Sequence, residues 1–345
     1  MRQQSPRQGQ GSHHSRQRQD TYPLPKDTCE LAKAQADKCL NYGLRTERLL
    51  LWDERSWKLA QQSQERFTKQ VKGRKVLDFT PPELQRLLGE HRTRWEAMLD
   101  DCQQRGYEVK RFFLTAAGRV VIGLGAESVL ETSIRLHRVY GFPILPGSAL
   151  KGLARSYALW QVADELGVPA LPLEELLARE KAKKRTPLQK LEAYLDEPDE
   201  NRRARWFEEL RQDKAIPPTA AVRYMELSTV EEKVKLLRAA FGTIASAGKV
   251  IFFDAVPANP TKLVLDLDVM NPHYSQYYQG GNTPPADYLN PVPVFFLTIA
   301  PGSEFLFAVA SRDGDLAQRV QMWLQKALCK MGAGAKTTAG YGLWR

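Results

Sequence analysis

A lysine and a serine stand where a helix should begin in the segment from Pro146 to Arg155. The first N–H groups of a helix lack intrahelical partners and lie at the positive end of its dipole, so they attract an anion beside Ser148 and Lys151. Arg155 follows Lys151 by one turn and lies on the same face. An ordinary helix start with a solvated lysine is the alternative. The anion site predicted here consists of Gly147, Ser148, Lys151 and Arg155.

A second candidate anion site is the glycine-rich segment from Gly332 to Gly342. Glycines accept left-handed backbone conformations, and consecutive N–H groups can form a concave nest for phosphate. The segment differs from a nucleotide-binding P-loop, because Ala335 replaces the glycine before the lysine and a helix precedes it instead of a strand. We therefore predict phosphate contacts but no nucleotide cofactor. The predicted contacts are Gly332, Gly334, Lys336, Thr337, Thr338, Gly340 and Tyr341.

Two weaker signals lie between residues 123 and 138, before the first of these segments. Gly123 and Gly125 flank Leu124 at the end of a strand-like stretch, a pattern that also fits a bulge. Residues 131–138 alternate, and this predicts a strand with one buried face and one polar, basic face that carries Arg135 and His137.

Groups that could catalyse a reaction are few. His137 is a candidate general base, and Asp266 and Asp268 resemble a metal-binding pair, although polar positions at a strand end explain them as well. Asp254 lies in an apolar strand, where we expect it to hydrogen-bond a neighbouring loop. Zinc-protease, nucleophile-elbow and paired-carboxylate patterns are missing, and the four cysteines show no C-x-x-C spacing. We predict no catalytic residue, no metal and no cofactor.

Aromatic side chains interrupt the strand pattern in residues 271–291, a stretch rich in Tyr, Pro, Asn and Gly. Long loops inside a domain are usually functional. We predict stacking or packing against a partner from His273, Tyr274, Tyr277 and Tyr278.

The composition favours a polyanionic partner. The 345 residues carry a formal net charge of +10 and a pI near 9.4. Nucleic acid is the first such partner and an acidic membrane the second. No stretch approaches the roughly 18 apolar residues of a spanning helix, and the first 20 residues lack the apolar core of a secretory signal. We therefore expect a cytoplasmic protein without a membrane partner.

The elements that must position these residues form an α+β pattern. A polar tail (1–25) is expected to be disordered, and residues 26–106 to form a helical extension with a capping-box helix over 80–104. The domain 107–345 contains a charged, Pro-interrupted helical insertion at about 167–227 and a second capping box at 228–231, whose helix ends at Gly242. This order of strands and helices is typical of an elaborated ferredoxin-like unit. The strands are expected at 109–115 and 119–124, joined as a hairpin, and at 249–255, 262–268, 292–299 and 304–310, with helices at 148–166 and 314–331 and a short terminal strand.

Several motifs together resemble the RAMP superfamily of CRISPR proteins, over about residues 107–345. The motifs are Gly123-Leu124-Gly125, Gly141-Phe142-Pro143 leading into the segment 146–152, and the terminal glycine-rich segment. Three further stretches, 252–257, 271–278 and 340–342, are similar to the family that forms subunit six of type III-B Cmr complexes. In the Pro-Gly-Ser motif at residues 146–148, the neighbouring Leu145 and Ala149 replace the Ile and Ser that are usual in the family. Ser148 and Lys151 of the motif are in place.

This resemblance implies an RRM-like core and a non-catalytic structural subunit of a CRISPR RNA-targeting complex in antiviral defence. It implies a place near the 3′ end of a guide RNA, with the guide RNA, target RNA and neighbouring RAMP subunits as partners. The predicted RNA contacts are then the two anion sites together with Gly123, Gly125, Arg135 and His137. One alternative is a RAMP-type endoribonuclease that processes guide precursors with His137 as base. Another is an assembly protein whose basic charge is incidental.

Overall fold

The computed structural model describes residues 20–53, 58–59, 77–128, 132–223, 226–278, 280, 284, 286 and 290–345. The prediction of a disordered tail therefore lies outside the described residues, except for residues 20–25. The described helices are α1 (Lys26–Gln35), α2 (Tyr42–Glu47), α3 (Pro82–Gln104), α4 (Gly147–Glu165), α5 (Leu173–Lys181), α6 (Pro187–Asp196), α7 (Glu200–Arg211), α8 (Pro218–Arg223), α9 (Leu227–Phe241), α10 (Ser275–Tyr278) and α11 (Gly314–Lys330). The described strands are β1 (Asp20–Thr21), β2 (Trp52–Asp53), β3 (Lys58–Leu59), β4 (Leu77–Asp78), β5 (Glu108–Thr115), β6 (Val250–Phe252), β7 (Val256–Pro257), β8 (Val264–Met270), β9 (Val294–Ile299) and β10 (Glu304–Ser311).

The central sheet is built around β10, whose residues after Glu304 are all buried. β10 pairs antiparallel with β5 over eight positions, from Glu304–Thr115 to Ser311–Glu108. Its other edge pairs with β6 and, further along, with β7. On the far side of β5, the N–H and C=O groups of Thr115 and Arg345 exchange two hydrogen bonds of 2.9 Å. The C-terminal residues, β5, β10 and β6 therefore lie side by side.

Both faces of this sheet are covered. Side chains alternate along a strand, so Phe305, Phe307 and Val309 face the main core, which also contains apolar residues of α4, α9 and α11. The residues between them, such as Leu306 and Ala308, pack on Trp95 and Leu99 of α3 in a second cluster. Helix α3 of the N-terminal region therefore covers the second face of the sheet.

The other described strands form two smaller antiparallel sheets, in the orders β1-β2-β3 and β4-β8-β9. The first includes Asp20 and Thr21, which the sequence had placed in a disordered tail. Residues 167–223 contain the helices α5 to α8, as the charged, helical composition predicted. No helix in the described part of the chain is long and apolar enough to cross a membrane.

The predicted hairpin between 109–115 and 119–124 is wrong. β10 pairs along one edge of β5, and the C-terminal residues occupy the other edge at Thr115, where a hairpin would have to begin. Val120 instead exchanges hydrogen bonds of 3.0 and 2.8 Å with Ile299 at the end of β9. The predicted strand at 131–138 is reduced, among its described residues, to a single bridge between Leu136 and Pro143.

Both predicted capping boxes are also wrong, although the helices that they announced are present. Helix α3 begins after Pro81 and α9 after Glu226, and neither start has a side-chain cap. Glu231 turns away from the helix start and accepts hydrogen bonds from Tyr194 and Arg238. The end of α9 at Gly242, which has a φ of 78°, agrees with the prediction.

Candidate functional site

The two predicted anion segments line one cleft. The start of α4 and the glycine-rich segment meet at a cavity of about 370 Å³. Its lining is mostly apolar, and the exposed Ser148 and the half-buried Lys151 adjoin its lining residues Ala149 and Leu150 in sequence. The lining residues are Ile122, Leu145, Ala149, Leu150, Leu153, Met331, Gly332, Ala333, Gly334 and Thr337. We call this cavity the glycine-loop cleft.

The glycine-rich segment is held against residues 119–121 by backbone hydrogen bonds. The N–H of Ala335 donates to Val121 and the N–H of Gly342 to Arg119, both at 2.8 Å. A Cβ atom at Gly334 would lie 2.1 Å from the carbonyl oxygen of Val121, and φ there is 104°. Only glycine fits this position. Gly332 and Gly342 are buried, whereas Gly334 and Gly340 are exposed.

Lys336 stands out because a non-glycine residue occupies the left-handed region, with φ of 59°. Its Nζ lies 5.5 Å from the centre of the Phe296 ring. Within the described chain, no carboxylate forms an ion pair with Lys336 or Lys151. Thr337 is half-buried and Thr338 is exposed beside them. Neither ammonium group is therefore neutralised by a carboxylate of the described chain, and Thr337 brings a hydroxyl to the lining of the cleft.

Tyr341 is anchored instead of presenting a free hydroxyl. Its hydroxyl donates to Asp268 at 2.8 Å, and burial together with this hydrogen bond raises the pKa of Tyr341. Arg119 pairs with Asp266 at 2.8 Å and with Asp268 at 3.4 Å. The two carboxylates therefore share one guanidinium, and Asp268 also accepts the Tyr341 hydroxyl. Across the described ranges, no group of three or more His, Cys, Asp or Glu side chains could hold a metal ion.

The start of α4 already has an anion of its own. The N–H of Gly147 donates to Oδ1 of Asp254 at 2.7 Å, which confirms that Asp254 hydrogen-bonds a neighbouring segment. Gly147 is buried, and a Cβ atom there would lie 2.2 Å from the carbonyl oxygen of Phe252. The N–H of Gly147 thus has a protein partner, and the missing side chain allows close packing against β6. Ser148 and Lys151 remain accessible on the same helical turn.

Arg155 also has protein partners. Its guanidinium pairs with Glu192 at 2.6 Å and with Asp196 at 2.9 Å, both on α6. Burial would lower the pKa of Arg155, but these carboxylates raise it above its usual range. These ion pairs connect α6 with α4 and already satisfy the guanidinium that the sequence predicted as a phosphate contact.

His137 belongs to a cluster of rings that joins α3 to the loop 137–142. Its ring lies 5.0 Å from that of His91 and 5.3 Å from that of Phe142. Nδ1 of His137 accepts the N–H groups of Val139 at 3.2 Å and Tyr140 at 3.3 Å. Burial lowers the pKa of His137, so the ring is neutral near pH 7 with its proton on Nε2.

Of the remaining predicted RNA or partner contacts, some are packed against other parts of the chain and others are exposed. Gly123 has a φ of 81°, and a Cβ atom there would lie 3.2 Å from the backbone of Arg135, whose side chain is exposed. Gly125 is exposed with open space around it. His273, Tyr277 and Tyr278 are exposed and Tyr274 is half-buried, while much of the loop 271–291 lies outside the described residues.

Sequence reasoning missed three residues that shape this region. Arg119 forms ion pairs with both aspartates, Phe296 supplies the ring beside Lys336, and His91 packs on His137. Arg119 and Phe296 stood in stretches read only as strands, and His91 in a helix without a motif. No local signal marked any of them, because their partners lie far away in the sequence.

A family model described as the RAMP superfamily matches residues 113–345. A protein of Pyrococcus furiosus described as CRISPR system Cmr subunit Cmr6 is 36% identical over 231 residues, which are 65% of this chain and 64% of that protein. The crystal structure of Cmr6 from Pyrococcus furiosus aligns with a TM-score of 0.43 and 32% identity, covering 69% of this chain and 97% of that one. A cryo-EM structure of the type III-B Cmr-beta bound to cognate target RNA aligns with a TM-score of 0.47 and 17% identity, covering 93% of this chain and 75% of that one.

Proposed function

This chain belongs to the RAMP superfamily, and on that premise we propose that it is a non-catalytic, guide-RNA-binding subunit of a type III-B CRISPR effector complex in the cytoplasm. The 36% identity to the Cmr6 protein of Pyrococcus furiosus supports this assignment. The proposal includes guide RNA, target RNA and neighbouring RAMP subunits as partners, and a place near the 3′ end of the guide. The exposed tyrosines Tyr277 and Tyr278 suit contact with a neighbouring subunit or with RNA bases.

The order of elements supports a ferredoxin-like core for this domain. The C-terminal residues, β5, β10 and β6 lie in that spatial order, α4 follows β5, and α11 follows β10. In this scheme the helices α5 to α8 are an insertion after the first helix of the core, and residues 26–106 are an extension whose helix α3 covers the sheet.

The observation that carries the proposal is that the two glycine-flanked segments that bear Lys151 and Lys336 line one cleft. Lys151 lies on the first turns of α4 and Lys336 on the glycine-rich segment, and both segments line the glycine-loop cleft. Point charges, hydroxyls and backbone N–H groups bind phosphate and ribose without reading bases. A guide-binding subunit needs this indifference, because guide sequences differ.

The state of His137 favours a binding protein over an endoribonuclease. A general base needs a free lone pair, but the Nδ1 lone pair faces two backbone N–H groups and Nε2 carries the proton. Incubation of the protein with repeat RNA tests the two alternatives. Intact RNA is expected, and cleavage that disappears in His137→Ala would support the endoribonuclease.

Filter binding at several salt concentrations tests whether Lys151 and Lys336 contact RNA phosphates. Each phosphate contact on single-stranded RNA contributes about 0.7 to the slope of log affinity against log salt. Lys151→Ala and Lys336→Ala should each flatten this slope by about 0.7 and weaken binding by a similar factor for every guide sequence. Lys235→Ala, an exposed lysine on α9, is the matched control. Unchanged slopes in both variants would contradict the proposed grip and leave the glycine-rich segment as a structural turn.

A further inference from the structure

A second, larger cleft lies among the helices α5, α6 and α7, in the region that carries no recognised motif. Its volume is about 730 Å³. The charged residues that line it are Glu175, Arg179, Lys183, Lys184, Arg185, Lys190, Glu209, Asp213 and Lys214, and Trp206 contributes an aromatic face. We call this cavity the insertion cleft.

The floor of the insertion cleft is a buried ion network. The Asp213 side chain is 3% exposed and accepts hydrogen bonds from Arg179 at 2.7 and 2.9 Å and from Lys190 at 2.6 Å. Burial would raise the pKa of Asp213, but these cations hold it well below its usual range. Arg179 also pairs with Glu175 at 2.9 Å. Two cations and two carboxylates therefore cancel, and the network fixes the three helices without leaving charge for a ligand.

Four other cations at the insertion cleft are not neutralised. Lys183, Lys184, Arg185 and Lys214 are exposed, and none of them forms an ion pair within the ranges that the structure describes. The remaining carboxylate of the lining, Glu209, is bound by Arg205 at 2.9 Å. An excess of four positive charges thus surrounds a concave surface.

Two of these residues are held in defined positions. The Arg185 guanidinium lies 4.4 Å from the centre of the Trp206 ring, and its backbone carbonyl accepts a hydrogen bond from Arg179. A guanidinium stacked in this way presents its donors in a fixed plane, which suits a phosphate group. Lys183 has a φ of 51°, a left-handed conformation that costs a lysine free energy and that glycine would adopt freely.

The insertion cleft and the glycine-loop cleft share one backbone feature. In the described part of the chain, Lys183 and Lys336 are the two non-glycine residues with positive φ. Unfavourable backbone conformations concentrate at functional sites. Favourable interaction of lysines with the end of the α5 helix dipole is a simpler explanation for Lys183 and Lys184. The end of the α7 dipole explains Lys214 in the same way, but neither dipole accounts for the stacked Arg185 or for the left-handed backbone of Lys183.

We propose that the insertion cleft binds the phosphodiester backbone of an RNA strand, as a second contact separate from the glycine-loop cleft. This inference rests on the proposed function, since RNA is the polyanion that such a subunit meets. The site is independent of base sequence, because lysine ammonium groups and a guanidinium contact phosphates.

The test is the salt dependence of binding to a fluorescein-labelled single-stranded oligouridylate, measured by anisotropy on the full chain. The double variant Lys183→Ala/Lys214→Ala removes one lining cation that follows α5 and one that follows α7. It should flatten the log–log slope by about 1.4, which is a loss of about 25-fold in affinity at ~0.1 M salt if the affinities converge near ~1 M. The control Lys33→Ala/Lys235→Ala removes two exposed lysines on α1 and α9 and should leave affinity and slope close to wild type.

The outcomes separate this inference from the proposed function. Absence of RNA binding by the wild-type protein would overturn both. Weaker binding by Lys151→Ala and Lys336→Ala, with Lys183→Ala/Lys214→Ala indistinguishable from the control, would overturn the insertion cleft alone. A flattened slope in Lys183→Ala/Lys214→Ala supports the insertion cleft, whatever the glycine-loop variants do. Since these cations have no ion pair to lose, equal melting temperatures are expected for all of the variants.

Discussion

His91 should make the stability of this protein depend on pH. The side chain lies on α3 and packs against His137, Tyr140 and Phe142, at ring distances of 5.0, 5.0 and 4.8 Å. Burial, followed by the nearby His137 and Arg94, lowers the pKa of His91 to about 4. The perturbation that we consider is His91→Phe, which keeps an aromatic ring in the cluster and removes the titration.

The sign follows from the proton balance. The pKa of His91 in the folded state lies below the ordinary value of 6.5. Between these two pKa values the unfolded chain binds a proton at His91 and the folded chain does not. The stability is complete above about pH 6.5 and is lost as the pH falls towards 4. Between about pH 7.5 and pH 5 the full shift corresponds to about 2 kcal/mol, and the partial exposure of the ring reduces this to about 1–2 kcal/mol.

Thermal unfolding at the two pH values measures this effect. A change of about 1–2 kcal/mol corresponds to a melting-temperature shift of roughly 1–3 °C for a chain of this length. The wild type should lose that much more than His91→Phe when the pH is lowered. The matched control is His273→Phe, at an exposed position, which should follow the wild type. If His91→Phe and wild type lose equal stability on acidification, the reasoning from burial is refuted.

Three further predictions concern the two segments at the glycine-loop cleft. Asp254→Ala removes the carboxylate that accepts the Gly147 N–H and should lower the free energy of unfolding by about 1–2 kcal/mol. Asp254→Asn keeps an acceptor and should lower it less. Equal losses in thermal unfolding would argue against a stabilising role for this hydrogen bond. Arg155→Ala should lower the free energy of unfolding by about 1 kcal/mol and leave RNA affinity near that of the wild type, because its charge is already paired. A loss of RNA affinity as large as that of Lys151→Ala would contradict this. Gly334→Ala should cost at least about 2 kcal/mol because its Cβ meets a backbone oxygen, whereas Gly340→Ala, with open space at the Cβ position, should cost about 1 kcal/mol; melting curves with equal shifts would refute the difference.

Several features of the fold could be predicted from the sequence. Helices α4 and α11 and the strand β10 begin and end within two residues of their predicted bounds, because apolar spacing determines local conformation. The hairpin at 109–124 could not be excluded in this way. Distant residues compete for β5: residues 304–311 pair along one edge, and the C-terminal residues bond the other edge at Thr115.

The sequence by itself identified the two segments that we propose as phosphate contacts and the resemblance to the RAMP superfamily. Only the tertiary structure decided which of those groups remain available. Gly147 and its acceptor Asp254 are separated by 107 residues, and Arg155 and Asp196 by 41. Ion pairs and hydrogen bonds of this kind depend on distances that folding creates. The spacing of residues along the chain identifies a charge, and the packing of distant elements decides whether that charge is neutralised or left for a ligand.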